Sequence, residues 1–274
     1  MDRKWEKDYR NYLDDENLSE IEMGKIMDQY RPKRIYRYMR FDDFGEKNIF
    51  GGQVYLGEAN KLNDPFDCLI YVNHETFTKH MFQIVCKIFP QTDRKLLEET
   101  TKASITEKLD EYLYYMKSQF RIACFTENSD SPLMWAHYSD SHKGFCMEYD
   151  LTKIPEGYRY GVLPVIYSDE RYDAIRAVIS RNGNLVSNPF YFKSSYWEYE
   201  KEWRMVIPEG IVTDGEYYAD FHEGISGIHL GLKSFDCHKE KVEKIIEKYS
   251  QKKIPVYKII IEPSNYNLRS VQIN

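Results

Sequence analysis

Seven consecutive residues, Lys201-Glu202-Trp203-Arg204-Met205-Val206-Ile207, constrain this chain more than any others. As a strand they alternate, so Glu202, Arg204 and Val206 share one face and Trp203, Met205 and Ile207 the other. The second face is apolar. The first sets a carboxylate beside a guanidinium, and burial tolerates that only as an ion pair or as the floor of a site that uses the charges. The preceding Tyr196-Trp197-Glu198-Tyr199-Glu200 adds aromatic rings and an acid two residues ahead of Glu202.

Around this strand the chain reads as α+β. Trp5, Tyr9 and Tyr12, then Leu18, Ile21, Ile26 and Tyr30, repeat at helical spacing and predict an N-terminal helical segment over 1–33, closed by Arg31-Pro32. Residues 34–274 read as a single domain. Strands are expected at 35–39, 53–57, 122–126, 145–149, 162–167, 227–231, 256–261 and 268–273, with a break at Ile49-Phe50-Gly51-Gly52. A helical insertion spans about 73–119. Its first helix carries the stripe Phe77, Met81, Ile84, Val85 and Ile88, and Thr92-Asp93 caps its second. Ser131-Pro132 starts a short helix through Tyr138, and further helices are expected at 169–180 and 235–249, with a long loop at 181–198. Helices and strands do not alternate regularly. This favours a mixed, largely antiparallel sheet over a doubly wound one.

The formal net charge of −6 gives no broad nucleic-acid footprint, although a local basic groove stays open. Five cysteines, an odd number with no Cys-x-x-Cys spacing, suit reduced thiols. The N-terminus is too charged for a signal peptide, and no apolar run approaches the roughly 20 residues that span a bilayer. The expectation is a cytoplasmic protein with no membrane partner.

Several short motifs carry candidate chemistry. Gly51-Gly52 lacks the Lys-Ser/Thr of a phosphate loop, and no His-Glu-x-x-His is present. His137, Asp140 and His142 straddle a helix end at a spacing poor for ligation, so no metal is assigned. Asn63-Asp64-Pro65-Phe66-Asp67 offers two carboxylates and an amide to a ligand's hydroxyls. Asx turns with Phe66 plugging the core explain the same residues, and this structural account is favoured. Met134-Trp135-Ala136-His137-Tyr138, with His142 and Gly144, makes a π-rich wall suited to a nicotinamide or a nucleobase, or equally a packed core. His137 is the natural acid/base group there. Arg37, between Tyr36 and Tyr38 on the first strand, needs an anion, either a ligand phosphate or Glu200 or Glu202, and the internal ion pair is slightly favoured. The 24 tyrosines suit half-buried strands and binding clefts, or reflect no more than compositional habit.

Taken in order, Tyr36-Arg37-Tyr38, Asn63-Asp64-Pro65-Phe66-Asp67, Cys124-Phe125-Thr126, Met134–Tyr138 with His142 and Gly144, and Tyr199-Glu200-Lys201-Glu202-Trp203-Arg204 resemble the bacterial domain of unknown function 2971 family. That family implies no activity. A weaker resemblance is to ADP-ribosyltransferases of the DNA-targeting toxin type. These place a basic residue or His on a first strand, a polar residue or Tyr on a second and a Glu on a later one; Arg37, Tyr55 and Glu202 stand in that order. Glu200-Lys201-Glu202 gives Glu-x-Glu spacing, but no Ser-Thr-Ser follows the second strand.

The second resemblance implies NAD as cofactor and an ADP-ribosyltransferase-like fold. Arg37 would hold a pyrophosphate, Trp135 and Tyr138 would flank the nicotinamide, and Glu202 would stabilise an oxocarbenium-like transition state while Glu200 orients the acceptor. The candidate catalytic residues are therefore Glu202, Glu200 and His137. The candidate binding residues are Arg37, Tyr38, Tyr55, Asn63, Asp64, Trp135, Tyr138 and Arg204. Such an enzyme would act in a bacterial toxin or phage-defence setting; the alternative is a defence-associated sensor that binds a nucleotide or phage component without chemistry. A metal-dependent nuclease built on Asp64, Asp67 and Glu202 is the weakest reading. The macromolecular acceptor is not legible.

Overall fold

A strand with charges on one face must pair on both edges and cover both faces. The computed structural model, which describes residues 4–13, 15, 17–180, 187–209 and 217–274, shows how this is done. The strands are β1 Arg34–Met39, β2 Gln53–Tyr55, β3 Gly57–Glu58, β4 Phe120–Thr126, β5 Phe145–Asp150, β6 Val162–Pro164, β7 Ile166–Tyr167, β8 Phe192–Lys193, β9 Glu202–Pro208, β10 Tyr218–Asp220, β11 Ile225–Leu230, β12 Val256–Ile261 and β13 Leu268–Gln272. The main sheet runs β13-β12-β11-β5-β1-β4-β9-β6, and β3 also pairs with β4. Its pairings are antiparallel except β11 with β12. The fold is α+β with a mixed, largely antiparallel sheet, as the pattern predicts.

The helices are α1 Lys4–Leu13, α2 Glu20–Met27, α3 Asp43–Gly51, α4 His74–Ile88, α5 Arg94–Ser118, α6 Pro132–Tyr138, α7 Glu156–Gly161, α8 Ile175–Ser180, α9 Ser234–Cys237 and α10 Lys239–Gln251. The helical insertion is the α4/α5 pair. Asp93 caps α5 by accepting from Leu96 N at 2.9 Å, and Ser131 caps α6 ahead of Pro132. Pattern reading missed α3, which begins where Asp42 accepts from Gly45 N and ends at Gly52. The strand expected over 162–167 is divided. Pro164 has no N–H for the ladder, and Ile166–Tyr167 turns away to run parallel to β8. The helix expected over 169–180 starts only at Ile175, because the Asp173 carboxylate accepts from both Asn73 N and Ile175 N. Of the expected loop at 181–198, residues 181–186 lie outside the described residues. The remainder holds β8 and two turns of 3₁₀ helix.

Alternation along β9 divides the core as its sequence predicts. Trp203 and Met205 join Ile35, Met39, Phe125 and Met147 under α10, which contributes Val242, Ile245 and Tyr249. Val206 faces the other way, into a cluster with Ile122, Phe190 and Tyr191. Tyr9 and Leu13 of α1 and Met23 and Met27 of α2 are buried in that same cluster. Further along this second face, Tyr38, Trp135 and Cys146 form a separate patch under α6. No helix among the described residues is long and apolar enough to cross a membrane.

Gly52 holds the turn from α3 into β2, with φ at +74°, and Phe221 N donates to its carbonyl at 3.0 Å. A Cβ there would lie 2.8 Å from His222 Cα. Gly52→Ala is expected to destabilise the protein by about 1–3 kcal/mol in urea unfolding, from left-handed strain and contact together.

Candidate functional site

The site arises where the sheet parts. β1 and β3 approach the same edge of β4, β1 at Tyr36↔Thr126 and β3 at Gly57↔Ile122. Between them β4 has no continuous neighbour, and a cavity of about 240 Å³ opens. Tyr36, Tyr38, Tyr55, Phe125 and Tyr138 give it aromatic walls. Tyr36 and Tyr38 stand on the β1 face that also carries Thr126 and Cys124 across the β4 pairing. Arg37 starts on the opposite face, with Ile35 and Met39, and reaches the cavity through the split.

Arg37 has an unusual set of partners. Nη2 donates to the Tyr55 carbonyl at 2.9 Å, and the guanidinium lies 5.6 Å from the Phe125 ring centroid. Nη1 is buried without a hydrogen-bond partner. Among the described residues no carboxylate pairs with it, so the internal ion pair favoured on sequence grounds is not formed. Burial lowers its pKa, which is the cost of a guanidinium held away from a counter-charge.

The carboxylates are engaged elsewhere. Arg204, fully buried on β9, grips Glu202 with Nε on Oε1 at 2.7 Å and Nη2 on Oε2 at 2.9 Å. Nη2 also meets Asp67 Oδ2 at 2.7 Å, and Nη1 donates to the Phe190 carbonyl at 2.7 Å. Lys193, at the end of β8, places Nζ 2.6 Å from Glu200, 2.9 Å from Glu202 and 3.3 Å from Asp67. Three carboxylates thus meet two cations, leaving one negative charge in surplus when all are ionised. Lys201 at φ +44° turns the chain so that Glu200 and Glu202 reach the same ammonium, and Cys68 at φ +55° follows Asp67 in the same way.

The two neighbouring glutamates differ sharply. Burial pushes the Glu202 carboxyl up, but Arg204 and then Lys193 overcome it and hold its pKa well below the usual range. Burial also raises Glu200; Lys193 offsets this only in part and the Glu202 charge adds to it, so its pKa stays raised. The Tyr138 hydroxyl donates to Glu200 Oε1 at 2.6 Å, and burial raises its own pKa. Glu200 is therefore the carboxyl in the cavity wall best suited to carry a proton.

Of the sequence candidates, the cavity brings together Arg37, Tyr38, Tyr55, Asn63, Tyr138, Glu200 and Glu202. Helical spacing on α6 explains two of the others by contrast. Tyr138 turns to the cavity, while Trp135 is fully buried, edge-on to Tyr38 at 5.0 Å with Nε1 donating to the Ser129 carbonyl. Trp135 therefore cannot flank a ligand. His137 faces outward, with Nδ1 3.2 Å from the Tyr199 hydroxyl. Arg204 lies beneath Glu202, outside the cavity wall. Asp64 sits apart, with Oδ2 accepting from Trp197 Nε1 at 2.7 Å. Phe66, expected as a core plug, is 66% exposed, and Asp67 is the residue of that loop buried in its place. The acids of the nuclease reading are thus divided between Trp197 and the two internal cations. Among the described residues no group of three or more His, Cys, Asp or Glu side chains is arranged to hold a metal.

Sequence reasoning overlooked Lys193 and Tyr36. Lys193 had a signal: it closes the apolar run Pro189-Phe190-Tyr191-Phe192, where a cation has to be buried and so has to find acids.

Residues 134–205 match the family model described as Protein of unknown function (DUF2971). The resemblance read from the sequence stands over that stretch. No curated protein and no solved structure matches the chain. The DUF2971 segment starts on α6 and ends inside β9, so it contains Tyr138, Lys193, Glu200, Glu202 and Arg204. Arg37, Tyr55 and Asp67 lie outside it.

Glu202→Gln is expected to cost about 3–5 kcal/mol at pH 7, because it breaks a buried network and leaves Arg204 short of charge. Glu202 has a lowered folded pKa, so it stabilises above its ordinary value of 4.5 and loses that contribution as pH falls through the folded value. The difference between variant and wild type should therefore shrink in acid. Glu200 has a raised pKa, so ionising it costs the folded state stability as pH rises through that value. Glu200→Gln should change stability at pH 7 by no more than about 1 kcal/mol. Urea titrations of both variants between pH 3 and pH 8 check the contrast.

Proposed function

We propose that the protein is a nucleotide-binding module whose ligand occupies the cavity at the split in the sheet. One observation carries the reading: Arg37, whose buried Nη1 has no hydrogen-bond partner, is among the residues that line an aromatic-walled cavity. A phosphate oxygen supplies the missing counter-charge, through a charge-assisted hydrogen bond. The tyrosine faces offer stacking to a base, and Glu200, Asn63 and Tyr138 offer partners to ribose hydroxyls. Size narrows the class. At about 240 Å³ the cavity lies below the ~300–1,000 Å³ of sites that enclose drug-sized ligands. A mononucleotide, or one half of a dinucleotide, is the fitting scale. The free cysteines suit a cytoplasmic setting, and a nucleotide or phage-component sensor in phage defence is the role this reading carries.

Thermal-shift and calorimetric titrations with nucleoside mono- and diphosphates and NAD test it. Saturable binding of at least one is expected, weakened about tenfold or more by Arg37→Gln. Binding unaffected by that change, or no binding of any of them, overturns the reading.

A second reading, ADP-ribosyl transfer from NAD, has one observation in its favour: Glu200 is a cavity carboxyl with a raised pKa and a tyrosine donor. It gives the catalytic role to Glu200 in place of Glu202, whose oxygens Arg204 and Lys193 already occupy. A protein with this activity would consume NAD as a toxin. Release of nicotinamide by the wild type and its loss in Glu200→Gln, with NAD binding retained, is the expected result. Binding without turnover by the wild type eliminates this reading and leaves the first.

A further inference from the structure

We propose that a second cavity, separated from the first by Lys193, is a binding site for an organic cation bearing a guanidinium or ammonium group. It encloses about 400 Å³ against about 240 Å³ for the first, and among the described residues Lys193 alone lines both. The partition is a built structure. Trp197 Nε1 donates to Asp64 Oδ2 at 2.7 Å, and Lys193 Nζ lies 5.1 Å from the Trp197 ring centroid. The two cavities therefore share a wall while presenting different chemistry.

Two independent features select a cation. The first is aromatic surface. Phe66 and Tyr196 line this cavity while remaining 66% and 88% exposed, and Trp197 forms its inner wall. Ring faces attract cations, by roughly 0.5–1 kcal/mol each when exposed and more when desolvated. The protein already uses this wall in that way, since the Arg171 guanidinium carbon lies 5.8 Å from the Phe66 centroid.

The second feature is charge. Asp64, Asp169 and Glu170 line the cavity, against Arg171. Lys193 adds no net positive charge, because Asp67, Glu200 and Glu202 surround its ammonium. The field inside is negative, so an anion is excluded and a neutral ligand gains only from the rings. A cation gains from both. Apart from the shared Lys193, none of these residues lines the nucleotide cavity, and that reading stands or falls separately.

The probe is agmatine, a free guanidinium-amine, titrated at fixed ionic strength and followed by calorimetry and tryptophan fluorescence. Saturable binding is expected, with a fluorescence change that disappears in Trp197→Phe. Asp169→Asn combined with Glu170→Gln, both exposed positions, should weaken it about tenfold, and Tyr196→Ala by a few-fold. Arg37→Gln should leave it unchanged, which separates this site from the nucleotide cavity. The neutral comparator N-butylurea should bind at least about tenfold more weakly. A capped Gly-Arg-Gly peptide that binds more tightly than agmatine assigns the site to a polypeptide side chain; the reverse order assigns it to a free amine. Absence of saturable agmatine binding, equal binding of butylurea, or binding indifferent to the Asp169/Glu170 double change overturns the proposal.

Discussion

The bidentate contact between Arg204 and Glu202 is the interaction on which the rest of the site depends. A buried guanidinium is tolerable only with its charge answered, and here the answer comes from its own strand two residues away. The pair is local, because alternation along β9 sets both side chains on one face. Asp67, from a loop distant in sequence, and Lys193, at the end of β8, complete it, with Nη2 on Asp67 and Nζ on Glu202. Two connections that also bury Phe190, Tyr191, Cys68 and Ile70 are thereby tied to the sheet by charge as well. The same network divides the labour of the two glutamates. Glu202, between two cations, is committed to structure, whereas Glu200 meets one cation and a tyrosine and keeps its proton more readily.

The split between β1 and β4 is the second constraint. A continuous ladder along the β4 edge would have filled the space where the cavity lies. Instead β1 and β3 each take part of that edge. A polar aromatic lining suits such a gap, because each tyrosine offers apolar area to its neighbours and a hydroxyl to the opening. Tyr138 illustrates this, with its hydroxyl donating at 2.6 Å to Glu200 in the cavity wall, whereas Tyr38 sets its ring against Trp135 and donates to the Asn128 carbonyl.

Much of this architecture was legible in the sequence, for reasons that can be named. The alternation of β9, the caps of α5 and α6 and the irregular order of helices and strands are local signals, and local signals survive folding. Features set by partners far along the chain were not legible. Alternation already sets Arg204 beside Glu202, but Arg37 looks like a residue in need of an acid, and nothing local shows that Asp67, far along the chain, joins Arg204. His137 has suitable chemistry, yet three residues of helix rotate Trp135 and Tyr138 inward and leave it outside. Phe66 reads as core by residue type, and it is the less apolar Asp67 beside it that the ion network draws in.

The DUF2971 match covers only one side of the cavity. Tyr138, Lys193, Glu200, Glu202 and Arg204 fall within it, while Arg37 and Tyr55 come from β1 and β2, outside it. The ion network stabilises the first group without any contribution from Arg37. Among the described residues no hydrogen bond or ion pair joins Arg37 to that network. Substitutions of Arg37 and Tyr55, on β1 and β2, can change the cavity lining while the charge-frame contacts stay in place. A fold partitioned in this way can vary its cavity without first having to rebuild its core.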